Sequence, residues 1–158
     1  MSASLTMSFL PGVLPIKVEG ERLLLVDQRK LPAELCYFDA TSRERMVFAI
    51  KDMVVRGAPS IGAAAAFGLA FEARRLACAA EHEEQVQLPR VEAFLNEFSL
   101  AVEELNQTRP TAVNLVWATR RMAKVVEAAF DSGLSCAETA SQAYLEAEAI
   151  LSEHLSAN

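Results

Sequence analysis

An alanine- and glycine-rich segment, Ile61-Gly62-Ala63-Ala64-Ala65-Ala66-Phe67-Gly68-Leu69-Ala70, limits the architectures open to this chain. Alanine is the best helix former, and side chains this small let neighbours come close to the backbone. The segment therefore predicts a slim helix, from Pro59 to about Ala80, at the centre of a helical bundle. Val55-Arg56-Gly57-Ala58-Pro59-Ser60 leads into it. Pro59 suits the first helical position, because its missing N–H is one that a helix leaves unpaired anyway. Gly57 allows backbone angles closed to other residues and lets a ligand approach the main chain. With Arg56 just ahead, the unpaired N–H groups of the first turn make an anion seat.

The other elements are read as what surrounds this helix. Residues 1–12 are Ser-rich, end in Pro11-Gly12 and read as a loose lead-in. From Val13 to Asp39, short apolar runs alternate with turn residues. Ile16 and Val18 alternate with Lys17 and Glu19, Gly20-Glu21 is a tight turn, Arg22–Asp27 is a more buried strand, and Leu35–Phe38 is a third strand. Beyond Asp39 the pattern is helical. Thr41 and Glu44 have capping-box spacing, and Met46, Ile50, Met53 and Val54 recur at helical intervals. Glu81–Gln87 is a polar connection. The next helix opens at Leu88-Pro89 and carries the apolar stripe Val91, Phe94, Leu95, Phe98, Val102 and Leu105. After Asn106–Thr111, a helix bearing Val113, Leu115, Val116, Trp117, Met122, Val125 and Val126 runs to near Gly133. Ser135 and Glu138 repeat the capping-box spacing and open a last helix with Ala140, Tyr144, Ala147, Leu151 and Leu155 on its apolar side. The expected fold is mainly α: a short N-terminal antiparallel β-meander, then a bundle of about five helices, forming one domain over residues 13–158.

Composition excludes several classes. At 158 residues, 52% hydrophobic and 23% charged, the chain is long enough and apolar enough for a real core. A net charge of −6 speaks against a broad nucleic-acid surface. The longest apolar run, Ile61 to Phe71, is too short for a membrane span, and no secretion signal is evident. Cys36, Cys78 and Cys136 are widely spaced and read as reduced, mostly buried thiols of a cytoplasmic protein. His82 and His154 have no second ligand at metal spacing, so no metal site is expected.

Two junctions share one design. Arg56 lies three residues before Pro59, and Arg109 lies directly before Pro110, which pushes it toward an extended conformation. Each arginine is thus expected at a helix N-terminus, where anions are favoured, and a guanidinium grips phosphate with two parallel N–H donors. If the two helix starts converge they form a sugar-phosphate pocket; the alternative is that each arginine caps or salt-bridges something local. Neither nucleotide-binding loop, GxGxxG or GxxxxGK[ST], occurs, and the two histidines assemble no nucleophilic triad. Asp27, Asp39 and Asp52 are candidate acids, but each fits a turn or surface role better. The residues support phosphate binding without supplying an acid, base or nucleophile.

Three motifs carry a resemblance. Leu25-Val26-Asp27-Gln28-Arg29-Lys30-Leu31-Pro32, Ile50-Lys51-Asp52-Met53-Val54-Val55-Arg56-Gly57-Ala58-Pro59-Ser60-Ile61-Gly62 and Arg109-Pro110-Thr111-Ala112-Val113-Asn114-Leu115 occur in order. From about Leu14 onward the chain resembles the methylthioribose-1-phosphate isomerase family. That superfamily also holds the regulatory subunits of translation initiation factor 2B and ribose-1,5-bisphosphate isomerase. The resemblance implies an aldose–ketose isomerase of methionine salvage, converting 5-methylthioribose 1-phosphate to 5-methylthioribulose 1-phosphate without redox cofactor or metal. It implies that Arg56, Gly57 and Ala58 form a substrate-binding loop and that Arg109 is a second substrate-binding arginine.

The resemblance also implies a departure. The family's catalytic cysteine and aspartate lie in a Rossmann-like C-terminal domain that this sequence does not include, and none of Cys36, Cys78 or Cys136 sits in the family's cysteine context. No catalytic residue is assigned here, and the chain by itself is expected to be inactive. An apolar face on the terminal helix is expected to support self-association as a dimer, or docking with a separate C-terminal domain; no nucleic-acid or membrane partner is expected. Two other readings stand beside this one: a protein-interaction module like the regulatory subunits of initiation factor 2B, and half of a ribose-1,5-bisphosphate isomerase.

Overall fold

A computed structural model describes residues 15–81 and 87–156. The lead-in expected over residues 1–12 and the connection holding His82 lie outside the described residues. The chain opens as a three-stranded antiparallel meander in the order β1 (Ile16–Glu19), β2 (Arg22–Val26), β3 (Tyr37–Asp39). Glu19 pairs with Arg22 across the Gly20-Glu21 turn, and Leu25 pairs with Phe38. Leu23 and Leu25 are fully buried, while the meander's edges carry charge, as in the Lys17–Glu19 pair. The third strand begins two residues later than expected. Asp27 is not part of β2: it caps the short 3-10 turn Gln28–Lys30 and accepts from the Arg29 backbone N–H.

Five helices follow among the described residues: α1 (Arg43–Lys51), α2 (Ala58–Glu81), α3 (Gln87–Thr108), α4 (Val113–Asp131) and α5 (Cys136–Ser156). The slim helix is α2, and it lies at the centre. Ala63, Ala64, Ala65 and Ala66 are fully enclosed. A β-carbon on Gly68 would stand 2.7 Å from Met46 Cγ, so α1 packs directly on the α2 backbone. Phe67 of α2 meets Tyr144 of α5 edge-on at 5.8 Å, and Phe94 of α3 meets Phe130 of α4 at 5.0 Å, geometries that aromatic quadrupoles favour. The α3 stripe is buried as its spacing predicts at Phe94, Phe98 and Leu105, with Ala101 added.

Polar contacts tie the helices where packing alone would not fix their register. Glu72 of α2 is buried, and its carboxylate accepts from Arg43 Nη1 at 2.8 Å and from Arg75 Nε at 2.6 Å. Arg43 also reaches Glu97 and Glu104 of α3. The Thr119 hydroxyl, fully buried on α4, donates to Asn106 Oδ1 near the end of α3 at 2.8 Å.

Four expectations need correction. The cap of α1 is Ser42, whose Oγ accepts from the Arg45 N–H, and not Thr41. The Thr41 hydroxyl is already committed, accepting from the Leu23 N–H and donating to Asp39 Oδ1. Helix α1 ends at Lys51, so Met53 lies beyond it at φ 63 and is exposed. Val113 and Trp117 do not belong to the buried face of α4: that face is Leu115, Ala118, Thr119, Met122, Val126 and Ala129. The thiols are free, but Cys78 is exposed and Cys36 and Cys136 are half-buried, so they are not mostly core residues. The Ser135–Glu138 box forms as expected, with Ser135 N–H donating to Glu138 Oε1 and Glu138 N–H to Ser135 Oγ.

Candidate functional site

Helices α1 and α5 begin on side chains that accept their first-turn N–H groups. The two helices that follow the arginine loops do not. Helix α2 begins after Gly57, whose φ is 87 and whose carbonyl accepts the Ile61 N–H at 3.0 Å. A left-handed φ is reached readily only by glycine, and glycine brings no side chain to the cap. Helix α4 begins after Ala112, which makes no side-chain cap bond. Serine, threonine, aspartate and asparagine are the usual caps because their oxygens satisfy these donors. Among the described residues both helix starts thus leave first-turn amides without a side-chain cap, at the positive end of a helix dipole.

These two starts pack together. The position of a β-carbon on Gly62 lies 3.0 Å from the Asn114 carbonyl oxygen and 3.5 Å from Ala118 Cβ. The absence of that carbon is what lets α2 and α4 meet so near their first turns. The loop before α2 is pinned by buried Val54 and Val55, and the Val54 carbonyl accepts the Gln28 N–H at 2.9 Å. The loop before α4 is pinned by the Asn106–Thr119 bond and by a turn in which Ala112 N–H donates to the Arg109 carbonyl at 2.9 Å.

The expected site residues fall on these loops. Arg56 is exposed and Gly57 half-buried just ahead of α2; Ala58 is the first residue of α2, which moves Pro59 from the first helical position to the second. Arg109 is half-buried and follows Thr108 directly, so it sits at the end of α3 and not on the first turn of α4. The Arg109–Ala112 turn carries it across to the α4 start. Among the described residues neither guanidinium is held in an ion pair. Other arginines are committed: Arg29 to Asp27, Arg43 and Arg75 to Glu72, and Arg121 to Glu146 and Glu153.

Beside the helix starts is a cleft of about 180 Å³ lined by Pro59, Gly62, Asn114, Trp117, Ile150, Glu153 and His154. The C-terminal end of α5 forms its third wall. Local reading of the sequence missed His154 and Trp117 as members of a site. His154 is brought there by the return of the last helix to the start of the second, and burial lowers its proton affinity below the ordinary histidine value. The candidate acids have structural duties elsewhere. Asp27 holds Arg29 in two side-chain bonds, Asp39 binds Thr41 and Arg22, and Asp52 is the exposed C-cap of α1. Burial pushes the Cys136 thiol up, away from the thiolate a nucleophile needs. Among the described residues no group of three His, Cys, Asp or Glu could hold a metal ion, and no helix is long and apolar enough to cross a membrane.

Comparison with known proteins places the chain in a class. The Initiation factor 2 subunit family matches residues 54–158, and the chain belongs to that family. Within it, the chain is similar to methylthioribose-1-phosphate isomerases. It is 44% identical to that of Natranaerobius thermophilus over 73% of this chain and 30% of the relative, and 42% identical to that of Caldanaerobacter subterraneus over 82% and 32%. The structure of 5-methylthioribose 1-phosphate isomerase from Pyrococcus horikoshii OT3 matches with a TM-score of 0.72 and 38% identity, over 88% of this chain and 36% of that one. The structure of translation initiation factor eIF-2B, subunit delta, from A. fulgidus matches with a TM-score of 0.71 and 32% identity, over 90% and 37%. The chain spans about a third of the length of the relatives it matches.

Proposed function

We propose that this chain supplies the phosphate-binding part of an aldose–ketose isomerase that converts 5-methylthioribose 1-phosphate to 5-methylthioribulose 1-phosphate. The observation that carries the reading is the close approach of two helix starts without side-chain caps, each preceded by an arginine loop. In this reading Arg56 and Arg109 grip the phosphate, while the amides following Gly57 and Ala112 complete its hydrogen bonding. Gly57, with no side chain, keeps the approach to the main chain open, and Ala58 belongs to the same substrate-binding stretch. These residues bind and orient the sugar phosphate. They move no proton, and the catalytic groups belong to a further domain in the full-length assembly. Cytoplasmic location and methionine salvage belong to the same proposal, supported by the metabolic names of the relatives; self-association is proposed with them.

Titration calorimetry of the chain with 5-methylthioribose 1-phosphate tests it. Saturable binding that Arg56→Ala and Arg109→Ala each weaken is the expected result; absence of binding, or binding indifferent to both substitutions, refutes it. A second reading, a protein-interaction module, is favoured by the nearly equal likeness to the eIF-2B delta structure. It predicts that neither arginine affects any sugar-phosphate affinity.

A further inference from the structure

A second and larger groove, of about 620 Å³, lies between the meander, the first turn of α1 and the second half of α2. Arg45 of α1 lines it, as do Phe71, Arg74, Arg75 and Cys78 of α2. It stands apart from the arginine loops. From Ala58 to Cys78 the same helix runs for about 30 Å, at roughly 1.5 Å per residue.

Arg45 and Arg74 are held by aromatic rings and not by carboxylates. The Arg45 guanidinium carbon lies 4.4 Å from the Phe38 ring centroid, and that of Arg74 lies 5.0 Å from Phe71 and 5.3 Å from Tyr144. Arg45 also donates from Nε to the Asp39 carbonyl at 2.7 Å. Among the described residues neither forms an ion pair. A ring attracts a guanidinium through its face. The N–H edge stays available, and that edge grips a carboxylate with two parallel bonds. Two ordered cations thus border one groove in a chain whose net charge is −6. Arg75 adds an exposed third, although it already serves Glu72.

The anchors decide what fits. Arg45 is fixed against the meander and Arg74 against α2 and α5, so the two belong to different walls. A groove of about 620 Å³ is also far more than one carboxylate fills. Of the acids that line it, Asp39 is engaged by Arg22 and Thr41. Glu21, exposed in the first turn, has no cationic partner among the described residues. We propose that this groove is a docking surface for an acidic, extended segment of a partner polypeptide, with successive carboxylates taken by Arg45 and Arg74. Glu21 opposes that binding from the rim.

Fluorescence anisotropy of the chain tests this with a labelled octapeptide alternating glutamate and alanine. The comparisons are its glutamine counterpart and succinate as competitor. The glutamate peptide should bind saturably and about tenfold tighter than the glutamine peptide, and its affinity should fall as salt rises. Arg45→Gln and Arg74→Gln should each weaken it about tenfold, whereas Glu21→Gln should strengthen it about twofold. Arg120→Gln, on an exposed arginine of α4 outside the groove, should change it by less than about twofold. Circular dichroism checks each fold. Should Arg74→Gln unfold, Arg74→Lys, which keeps the charge and loses the paired donors, should still weaken binding. Absence of binding, or equal weakening by Arg120→Gln, overturns the proposal. Displacement by succinate at equal carboxylate concentration also overturns it and assigns the groove to a small dicarboxylate. None of these outcomes bears on the sugar-phosphate titrations.

Discussion

The carbonyl oxygen of Asn114 lies 3.0 Å from where Gly62 would carry a β-carbon, tighter than nine in ten real β-carbon contacts. The contact joins the second turn of α2 to the first turn of α4. Gly62→Ala should strengthen α2 intrinsically by about 1 kcal/mol while pushing the two helix starts apart by a few tenths of an ångström. Denaturant unfolding is expected to change by less than about 1 kcal/mol, because the two effects oppose. Affinity for a sugar phosphate should fall several-fold in the same variant. Unchanged affinity would show that the spacing of the helix starts is irrelevant to binding.

Arg56→Ala and Arg109→Ala should behave differently from substitutions of the other arginines. Neither guanidinium is held in an ion pair among the described residues, so their loss should cost little stability. Charge-assisted hydrogen bonds contribute about 1.5–3 kcal/mol each, which corresponds to a tenfold or greater loss of phosphate affinity. A melting-temperature drop comparable to that of a core variant would assign them a structural role.

The buried Glu72 makes the opposite prediction. Arg43→Ala would leave its carboxylate enclosed with only Arg75, and breaking such a pair costs about 3 kcal/mol. Arg75 is 59% exposed in its side chain, so Arg75→Ala should cost less than about 1 kcal/mol. Equal costs in urea unfolding would contradict the assignment of Arg43 as the partner that matters.

Acid should weaken the Asp27–Arg29 contact beside the meander. The Arg29 guanidinium and backbone N–H hold the Asp27 carboxyl below the usual aspartate range, whereas in the unfolded chain it titrates near ~3.9. As pH falls through that value the unfolded state takes up protons before the folded state does. The contribution is therefore complete above the unfolded pKa and is lost as pH falls through the depressed folded pKa. Asp27→Asn should flatten stability against pH below about pH 4; an unaltered slope would place the acid-sensitive group elsewhere.

Local signals were legible where one stretch of chain decides the outcome. Ser135 and Glu138 cap α5 because both partners lie in a single turn. The Thr41–Glu44 pair had the same spacing, yet long-range contact with Leu23 claims the Thr41 hydroxyl and leaves the cap to Ser42. On α4, a spacing argument weighted toward large apolar residues picks Val113 and Trp117. The true interface is built partly from Ala118, Thr119 and Ala129, because the facing helix is slim enough to accept small neighbours. The arginine loops could be read from their proline junctions. His154 could not, since only the return of α5 to the start of α2 puts it beside them.

The enclosure of Ala63–Ala66 has a consequence for how such a chain can change over generations. This stretch of the central helix, already reduced to methyl groups and fully enclosed, has little left to trim and no space to enlarge. Variation in volume must therefore be absorbed by the outer helices, and Met46, an unbranched side chain draped over Gly68, is one place where such an adjustment can be made.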